Sequence, residues 1–264
     1  MLILSTEGEI KVNELLLQDK VALVTGGSAG MGKEIVRQYL QEGAYVLTVA
    51  RRKEKLEQLA EELGHDARLF TLSADVSKKA DVAKIFDFIR KQFALLDSVV
   101  NNAGIMDNME PIADVTDELW ERVMAVNLDG PFMICREAVR LMLTQESRGN
   151  IINIASGGGI GGGRSGASYV SSKFALVGLS KNIAYMYAPD GIRCNVICPG
   201  AVLTEIGHNA VYHPYGAKRV QEGVKNIRMG RPEEIADLAV YLASEKSSLI
   251  NGATIIADGG KSAW

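Results

Sequence analysis

The feature that most constrains this chain is an alternation. Short, almost continuously apolar runs occur at Val21–Thr25, Tyr45–Ala50, Arg68–Ser73, Ser98–Asn101, Asn150–Ala155, Arg193–Cys198 and Thr254–Ala257. Between them lie longer amphipathic stretches near 31–42, 53–63, 78–93, 116–146, 168–188 and 232–244. A strand that is apolar at nearly every position has both faces covered, the condition of a parallel sheet under helices on both sides. Strand–helix alternation therefore predicts the α/β class: a single Rossmann-like doubly wound parallel sheet joined by right-handed crossovers. At 264 residues the chain can close one such core, and no Pro/Ser/Gly-rich linker divides it. Residues 1–18 read as an N-terminal extension and 19–264 as the domain.

Composition removes several classes of function. Charged residues make up 23% of the chain and the formal net charge is -3, so nucleic acid and acidic membrane surfaces have no electrostatic case as main partners. Three cysteines, Cys135, Cys194 and Cys198, do not make a disulfide framework, and the last two flank an apolar run as small core residues do. His65, His208 and His213 do not supply zinc-ligand spacing. The amino terminus lacks the basic start and long apolar centre of a signal peptide, and no apolar run approaches the ~20 residues of a membrane span. The expected compartment is the cytoplasm.

The first apolar run passes directly into Thr25-Gly26-Gly27-Ser28-Ala29-Gly30-Met31-Gly32, and a helix follows. Such a loop aims free backbone N–H groups at a helix N-terminus, where a pyrophosphate can accept from them. Gly26, Ser28, Gly30, Met31 and Gly32 are accordingly expected to hold a dinucleotide. At the end of the second strand a carboxylate would favour NAD(H) by accepting from the ribose hydroxyls. This chain instead has Ala50-Arg51-Arg52-Lys53. Forked guanidinium donors suit a 2′-phosphate, so Arg51 and Arg52 favour NADP(H) over NAD(H).

Tyr169 and Lys173 are four residues apart in a helical stretch and share a face. A free tyrosine ionises at about pH 10, and a neighbouring ammonium should lower that value and turn the phenol into an acid/base. Ser156 follows an apolar strand at the end where doubly wound sheets bind ligands, and its hydroxyl suits the same substrate oxygen. No Gly-x-Ser-x-Gly elbow or histidine partner supports a serine hydrolase.

The loop, Asn101-Asn102-Ala103-Gly104, Ser156 and Tyr169-Val170-Ser171-Ser172-Lys173 occur in the order that marks the short-chain dehydrogenase/reductase family, and the chain resembles that family over roughly 19–260. The resemblance implies hydride transfer between a nicotinamide and a carbonyl or secondary alcohol. It implies Asp75 and Val76 at the adenine, Asn102, Ala103 and Gly104 at the ribose side, and Pro199, Gly200, Val202 and Thr204 at the carboxamide. It also implies that Asn127 holds a water linking Lys173 to solvent, giving a catalytic set of Asn127, Ser156, Tyr169 and Lys173. Tyr169 and Lys173 would touch the cofactor as well.

Resemblance to 3-oxoacyl-carrier-protein reductases and to glucose dehydrogenases is similar, so the substrate stays open. An NAD-linked alcohol or sugar dehydrogenase working oxidatively is the alternative within enzymes. A non-catalytic nucleotide-binding regulator would lack the Tyr, the Lys or the loop, and none is missing. Family members of this length imply a homotetramer, for which the apolar-faced helices and Trp264 offer surface. Residues 205–225, with Glu205, Ile206, His208, Tyr212, His213, Pro214 and Tyr215, are expected to form a flap over the substrate. Opposite it, the glycine-dense 157–168 leaves room, with Arg164 its one cation.

Overall fold

The computed structural model describes residues 3–4, 10–11, 15–206, 210–223 and 228–263. Two short antiparallel strands, β1 (Ile3–Leu4) and β2 (Ile10–Lys11), stand apart from the main sheet. The main sheet contains β3 (Val21–Thr25), β4 (Tyr45–Ala50), β5 (Leu69–Ser73), β6 (Ser98–Asn101), β7 (Asn150–Ile154), β8 (Arg193–Pro199) and β9 (Thr254–Ala257). All seven are parallel, in the order β5-β4-β3-β6-β7-β8-β9. Every strand matches its sequence expectation to within one residue.

The helices are α1 (Gly30–Gln41), α2 (Lys53–Glu62), α3 (Lys79–Gln92), α4 (Asp117–Met124), α5 (Gly130–Met142), α6 (Ala167–Tyr187), α7 (Pro214–Glu222) and α8 (Pro232–Ala243). They cover both faces of the sheet, as the unbroken apolar strands require. On one face Ile35 and Tyr39 of α1 pack with Ile235 and Ala239 of α8 against Ala22, Val24 and Ile152. On the other, Val82, Ile85, Ile134, Ala138 and Ile183 of α3, α5 and α6 meet Leu23, Val99 and Ile151. Each such fully buried aliphatic side chain contributes roughly 1.5–3 kcal/mol. Leu17 is buried in the first of these cores, and its N–H donates to the Glu42 carbonyl at 3.0 Å. The final residues of the expected extension are thus part of the packed body.

The stretch 116–146 is not one helix. After α4 the chain makes a π turn over Ala125–Asp129, and α5 ends at Met142. The cause is Pro131. A regular helix would have residue 131 donate to the carbonyl of Asn127, and proline has no N–H to give. The backbone widens, Gly130 donates to Ala125 instead, and the Asn127 carbonyl loses its helical partner.

The sheet reverses its winding between β3 and β6, so the connections leaving their carboxyl ends diverge and open a crevice. The glycine loop and Asn102-Ala103-Gly104 follow the carboxyl ends of β3 and β6, and Arg51, Asp75, Ser156 and Gly200 follow those of neighbouring strands. Asn127, Tyr169 and Lys173 sit on helical segments.

Candidate active site

The glycine loop is a fitted cradle. Gly26 has φ +69°, a left-handed conformation that only glycine adopts freely, and a Cβ on Gly32 would overlap the Gly26 carbonyl and the Asn102 amide. Asn102 Nδ2 donates to the carbonyls of Thr25 and Gly26, both at 3.1 Å. Thr25 Oγ1 accepts in turn from the N–H groups of Asn102 and Ala103, both at 3.1 Å. Asn102, expected on the ribose side, also commits its side-chain amide to the loop, tying β6 to β3.

Beside this cradle runs a crevice of about 580 Å³. It brings together Gly26, Ser28, Gly30, Met31, Arg51, Arg52, Asp75, Val76, Asn102, Ala103, Gly104 and Thr204. Gly32, Pro199 and Gly200 lie off its wall: Gly32 packs under the loop, and Pro199-Gly200 end β8 beside Asp258. Val202 lines a neighbouring cavity of about 660 Å³ that shares Ser28, Gly30 and Thr204 with the crevice. Asp75 accepts from the Ser77 N–H and hydroxyl through one oxygen, which leaves its other oxygen for a ligand. Arg51 and Arg52 are exposed, and neither guanidinium has an ion-pair partner among the described residues. The crevice, the cradle and the free cations at its far end fit a dinucleotide.

Tyr169 lies in the first turn of α6 and is only 9% exposed; Lys173, one turn on, is 4% exposed. Its ammonium donates to the Ile154 carbonyl at 3.0 Å and stands 5.6 Å from the Tyr169 ring centroid. Ser156 Oγ accepts from the Gly158 N–H at 3.0 Å, which directs its own hydrogen elsewhere, and its hydroxyl acts to lower the pKa of the neighbouring phenol. Asn127 is fully buried. Its Oδ1 accepts from Ile105 N at 2.9 Å, and its Nδ2 donates to the Ile105 carbonyl at 3.0 Å and to Ser172 Oγ at 3.3 Å. A Cβ on Gly104 would touch both Asn127 Oδ1 and Lys173 Nζ, so these three residues converge.

One expectation fails here. The ammonium was expected to lower the tyrosine pKa, but burial raises it above the ordinary value, with Asp107 and Cys198 adding to the rise and the Ser156 hydrogen bond opposing it. Burial also lowers Lys173 to about 8. Desolvation outweighs the pairing because the ammonium points at the Ile154 carbonyl and meets the ring, not the hydroxyl.

Sequence reasoning missed Asp107. Its carboxylate is fully buried and accepts from Met109 N, Ser165 Oγ, Gly166 N, Ser168 Oγ and Tyr169 N at 2.8–3.3 Å. The only sequence signal was an acid in the turn-forming run Met106-Asp107-Asn108; its partners on α6 are about 60 residues away.

The flap region begins as an exposed, irregular segment and contains α7. His213 caps that helix, its Nδ1 accepting from Gly216 N at 3.3 Å. Residues 207–209, His208 among them, and 224–225 of the expected flap lie outside the described residues, as does Trp264. Arg164 packs along Gly157 and Gly161 and reaches the Lys261 carbonyl at 3.5 Å. Among the described residues there is no metal-ligating cluster, and no helix is long and apolar enough to cross a membrane.

Comparison with known proteins agrees with this arrangement. Residues 26–262 match a family model described as "Enoyl-(Acyl carrier protein) reductase". Over 253 residues the chain is 44% identical to 3beta-hydroxysteroid dehydrogenase 2 of Eggerthella lenta, covering 94% of this chain and 97% of that one. It is 36% identical over 245 residues to D-threitol dehydrogenase of Mycolicibacterium smegmatis, covering 92% and 93%. The crystal structure of levodione reductase superposes with a TM-score of 0.86 at 32% identity, covering 94% of this chain and 99% of that one. The fold, the glycine cradle and these relatives lead to one conclusion: the chain belongs to the short-chain dehydrogenase/reductase family, oxidoreductases that use a nicotinamide cofactor on hydroxyl or carbonyl substrates.

Proposed function

We propose that this protein is an NADP(H)-dependent oxidoreductase interconverting a ketone and a secondary alcohol, with Tyr169 as acid/base. The observation that carries the reading is the convergence of Ser156, Tyr169 and Lys173 behind Gly104, which lines the crevice that Arg51 and Arg52 also line. The nicotinamide, when bound, supplies or accepts the hydride. Tyr169 gives its phenolic proton to the carbonyl oxygen in reduction and takes one from the alcohol in oxidation. The Ser156 hydroxyl donates to the same oxygen and steadies its developing charge. Lys173, as ammonium, stabilises the tyrosinate that remains. The Asn127 carbonyl, to which Pro131 has no N–H to give, would offer a water an acceptor on the path from Lys173 to solvent.

Arg51 and Arg52 would meet the 2′-phosphate of NADP(H) with unpaired donors. Titration should show NADPH binding more tightly than NADH, and Ala50→Asp with Arg51→Ala should reverse the order. Equal affinities in the wild type would reduce the two arginines to surface charge.

The substrate reading follows the apolar side chains exposed in and just before the flap region, Leu203, Ile206, Val211 and Tyr215. They suit a secondary alcohol or ketone on an apolar scaffold, and hydroxysteroids, named for the 44% identical relative, are the first class to test. A panel of hydroxysteroids, polyols, cyclic ketones and 3-oxoacyl thioesters, followed by nicotinamide absorbance in both directions, decides among them. Turnover confined to polyols with NAD would favour the oxidative alternative.

Assembly as a homotetramer is supported by two separate exposed apolar faces. Phe132, Phe174, Tyr185 and Met186 lie on α5 and α6, and Tyr241, Leu249 and Ile256 lie around α8 and β9. Two distinct self-complementary faces are what dihedral symmetry needs. Arg136 Nε, buried and with only the Glu137 carboxylate at 3.5 Å, has room for a hydrogen-bond acceptor across the first face. Light scattering at micromolar concentration tests it, with a monomer as the refuting result. The three buried thiols, none in a disulfide, support a reducing cytoplasm.

A further inference from the structure

Helix α6 starts with Gly166 as its N-cap residue, which has no side chain to accept from the free N–H groups of the first turn. Asp107 performs that task from a segment 59 residues earlier, its Oδ1 accepting from Gly166 N at 3.1 Å and its Oδ2 from Tyr169 N at 2.8 Å. Oδ1 also takes Met109 N at 3.1 Å and Ser165 Oγ at 3.0 Å, and Oδ2 takes Ser168 Oγ at 3.3 Å. The carboxylate thus grips the backbone of the proposed acid/base residue itself. A second tie runs alongside, with Ala167 N donating to the Glu110 carbonyl at 2.9 Å.

The same turn carries the flap. Asn108 and Met109 are both left-handed, at φ +57° and +59°, a conformation unfavourable for side-chain-bearing residues in succession. Met109 N is held by Asp107, and the Asn108 carbonyl accepts from His213 N at 2.8 Å, at the start of α7. Gly216 of α7 lies so close to the Met109 carbonyl that a Cβ would overlap it. His213 Nε2 also faces Asp114 at 3.4 Å.

We propose that Asp107 is a positioning residue that joins the catalytic end of α6 to the turn on which flap helix α7 is seated, so that Tyr169 and the flap move as one unit. The inference rests on the reading of Tyr169 as the acid/base. It requires a carboxylate. Three of the five donors are backbone N–H groups, two on one oxygen and one on the other, and none can reverse. An asparagine offers one acceptor oxygen, so in either orientation its NH2 faces at least one N–H. The variant leaves an N–H without its acceptor at the first turn of the catalytic helix.

The experiment compares Asp107→Asn, Ser168→Ala and Gly216→Ala with the wild type and with Tyr169→Phe, using the fastest alcohol from the panel above. Asp107→Asn should lower kcat by roughly 10- to 100-fold, the range for small misplacement of a reacting group, with cofactor affinity changed less than about twofold. The titratable groups around Tyr169 are Lys173 on its own helix, Asp107 on the turn and Cys198 at the end of β8. Removing the Asp107 charge favours tyrosinate, so the acid limb of the oxidation profile should move to lower pH. A residue that merely held the fold together would not move that limb. Gly216→Ala should lower kcat from the flap side, and Ser168→Ala, which removes one bond in five, should have the smallest effect.

Normal kcat and an unmoved limb in Asp107→Asn, with Tyr169→Phe inactive, overturn the proposal and leave the catalytic reading standing. An active Tyr169→Phe overturns that reading itself. If Asp107→Asn does not fold, Ser168→Ala and Gly216→Ala decide. Lowered kcat in Gly216→Ala together with faster amide exchange over 165–170 supports the coupling, and its absence overturns it.

Discussion

The start of α6 with its packing partners and the flap region, the two sides of the proposed site, are built in opposite ways. The wall of α6 is buried and held by more bonds than its geometry needs: Tyr169, Lys173, Asn127 and Asp107 are all nearly or fully sequestered, and each has a defined partner. The flap side exposes Leu203, Ile206, Val211, Tyr215 and Met229. The difference divides labour. Proton transfer needs atoms fixed to within a few tenths of an ångström, whereas accommodating a substrate needs a surface that can still form contacts.

That contrast can be broken most severely at the fixed wall. Tyr169→Phe keeps the ring packing and removes the proton, so turnover should fall roughly 10²–10⁴-fold, about 3–5 kcal/mol of barrier, while cofactor affinity changes little. Steady-state kinetics and cofactor titration check it, and near-normal turnover would remove Tyr169 from the chemistry. Lys173→Ala should likewise lower turnover by orders of magnitude.

The next effect is on stability. Lys173 ionises at about 8 in the folded protein against 10.5 for an ordinary lysine. Between those values Lys173 holds a proton in the unfolded chain that it has lost in the folded one. Its own contribution to stability therefore rises with pH across that window, by on the order of 3 kcal/mol at most. Above about pH 9 the buried Cys135, Cys194 and Cys198 thiols, raised by burial, act in the opposite sense. Above about pH 10 the raised Tyr169 value acts in the opposite sense, because only the unfolded chain then releases that proton. Lys173→Met should make the slope of stability against pH less positive between about pH 8 and 9 in urea titrations, and an unchanged slope would refute it.

Smaller effects belong to the open wall. Amide exchange over 205–206 and 210–223 should be fast in the free protein and about tenfold slower, ~1.4 kcal/mol, with NADP(H) and a substrate analogue bound. Unchanged exchange would take the flap out of the mechanism. Smallest of all, Tyr215→Ala should alter stability by no more than about 0.5 kcal/mol because the side chain is 61% exposed, yet it should raise KM.

The fixed wall was also the more legible one in the sequence, though only in its parts that are local. Strands show as apolar runs, the cradle as glycines at the end of one of them, and the Tyr169–Lys173 pair as a four-residue helical spacing. What stayed hidden is what folding brings from afar. The grip of Asp107 on α6 spans about 60 residues, and the Asn102 brace joins two strands 77 residues apart. The direction of the Tyr169 shift was misread because spacing reports that a lysine is near, while burial, which decides the sign, is a property of the whole packed body. The π turn at 125–129 could have been read from Pro131, had its missing donor been assigned to the Asn127 carbonyl.

The Asn102 brace has a consequence for how fast the protein finds its cofactor. With Nδ2 bonded to two loop carbonyls, and Thr25 Oγ1 holding two N–H groups from the other strand, the cradle has its shape before any phosphate arrives. Capture then requires little ordering of the loop, and the entropy otherwise lost on binding is already spent in folding. Association should run at the rate set by diffusion and orientation, roughly 10⁵–10⁷ M⁻¹s⁻¹ if a protein-scale docking limit applies. Differences in affinity between the two nicotinamide dinucleotides would then lie in how long each stays, at the arginine end of the crevice.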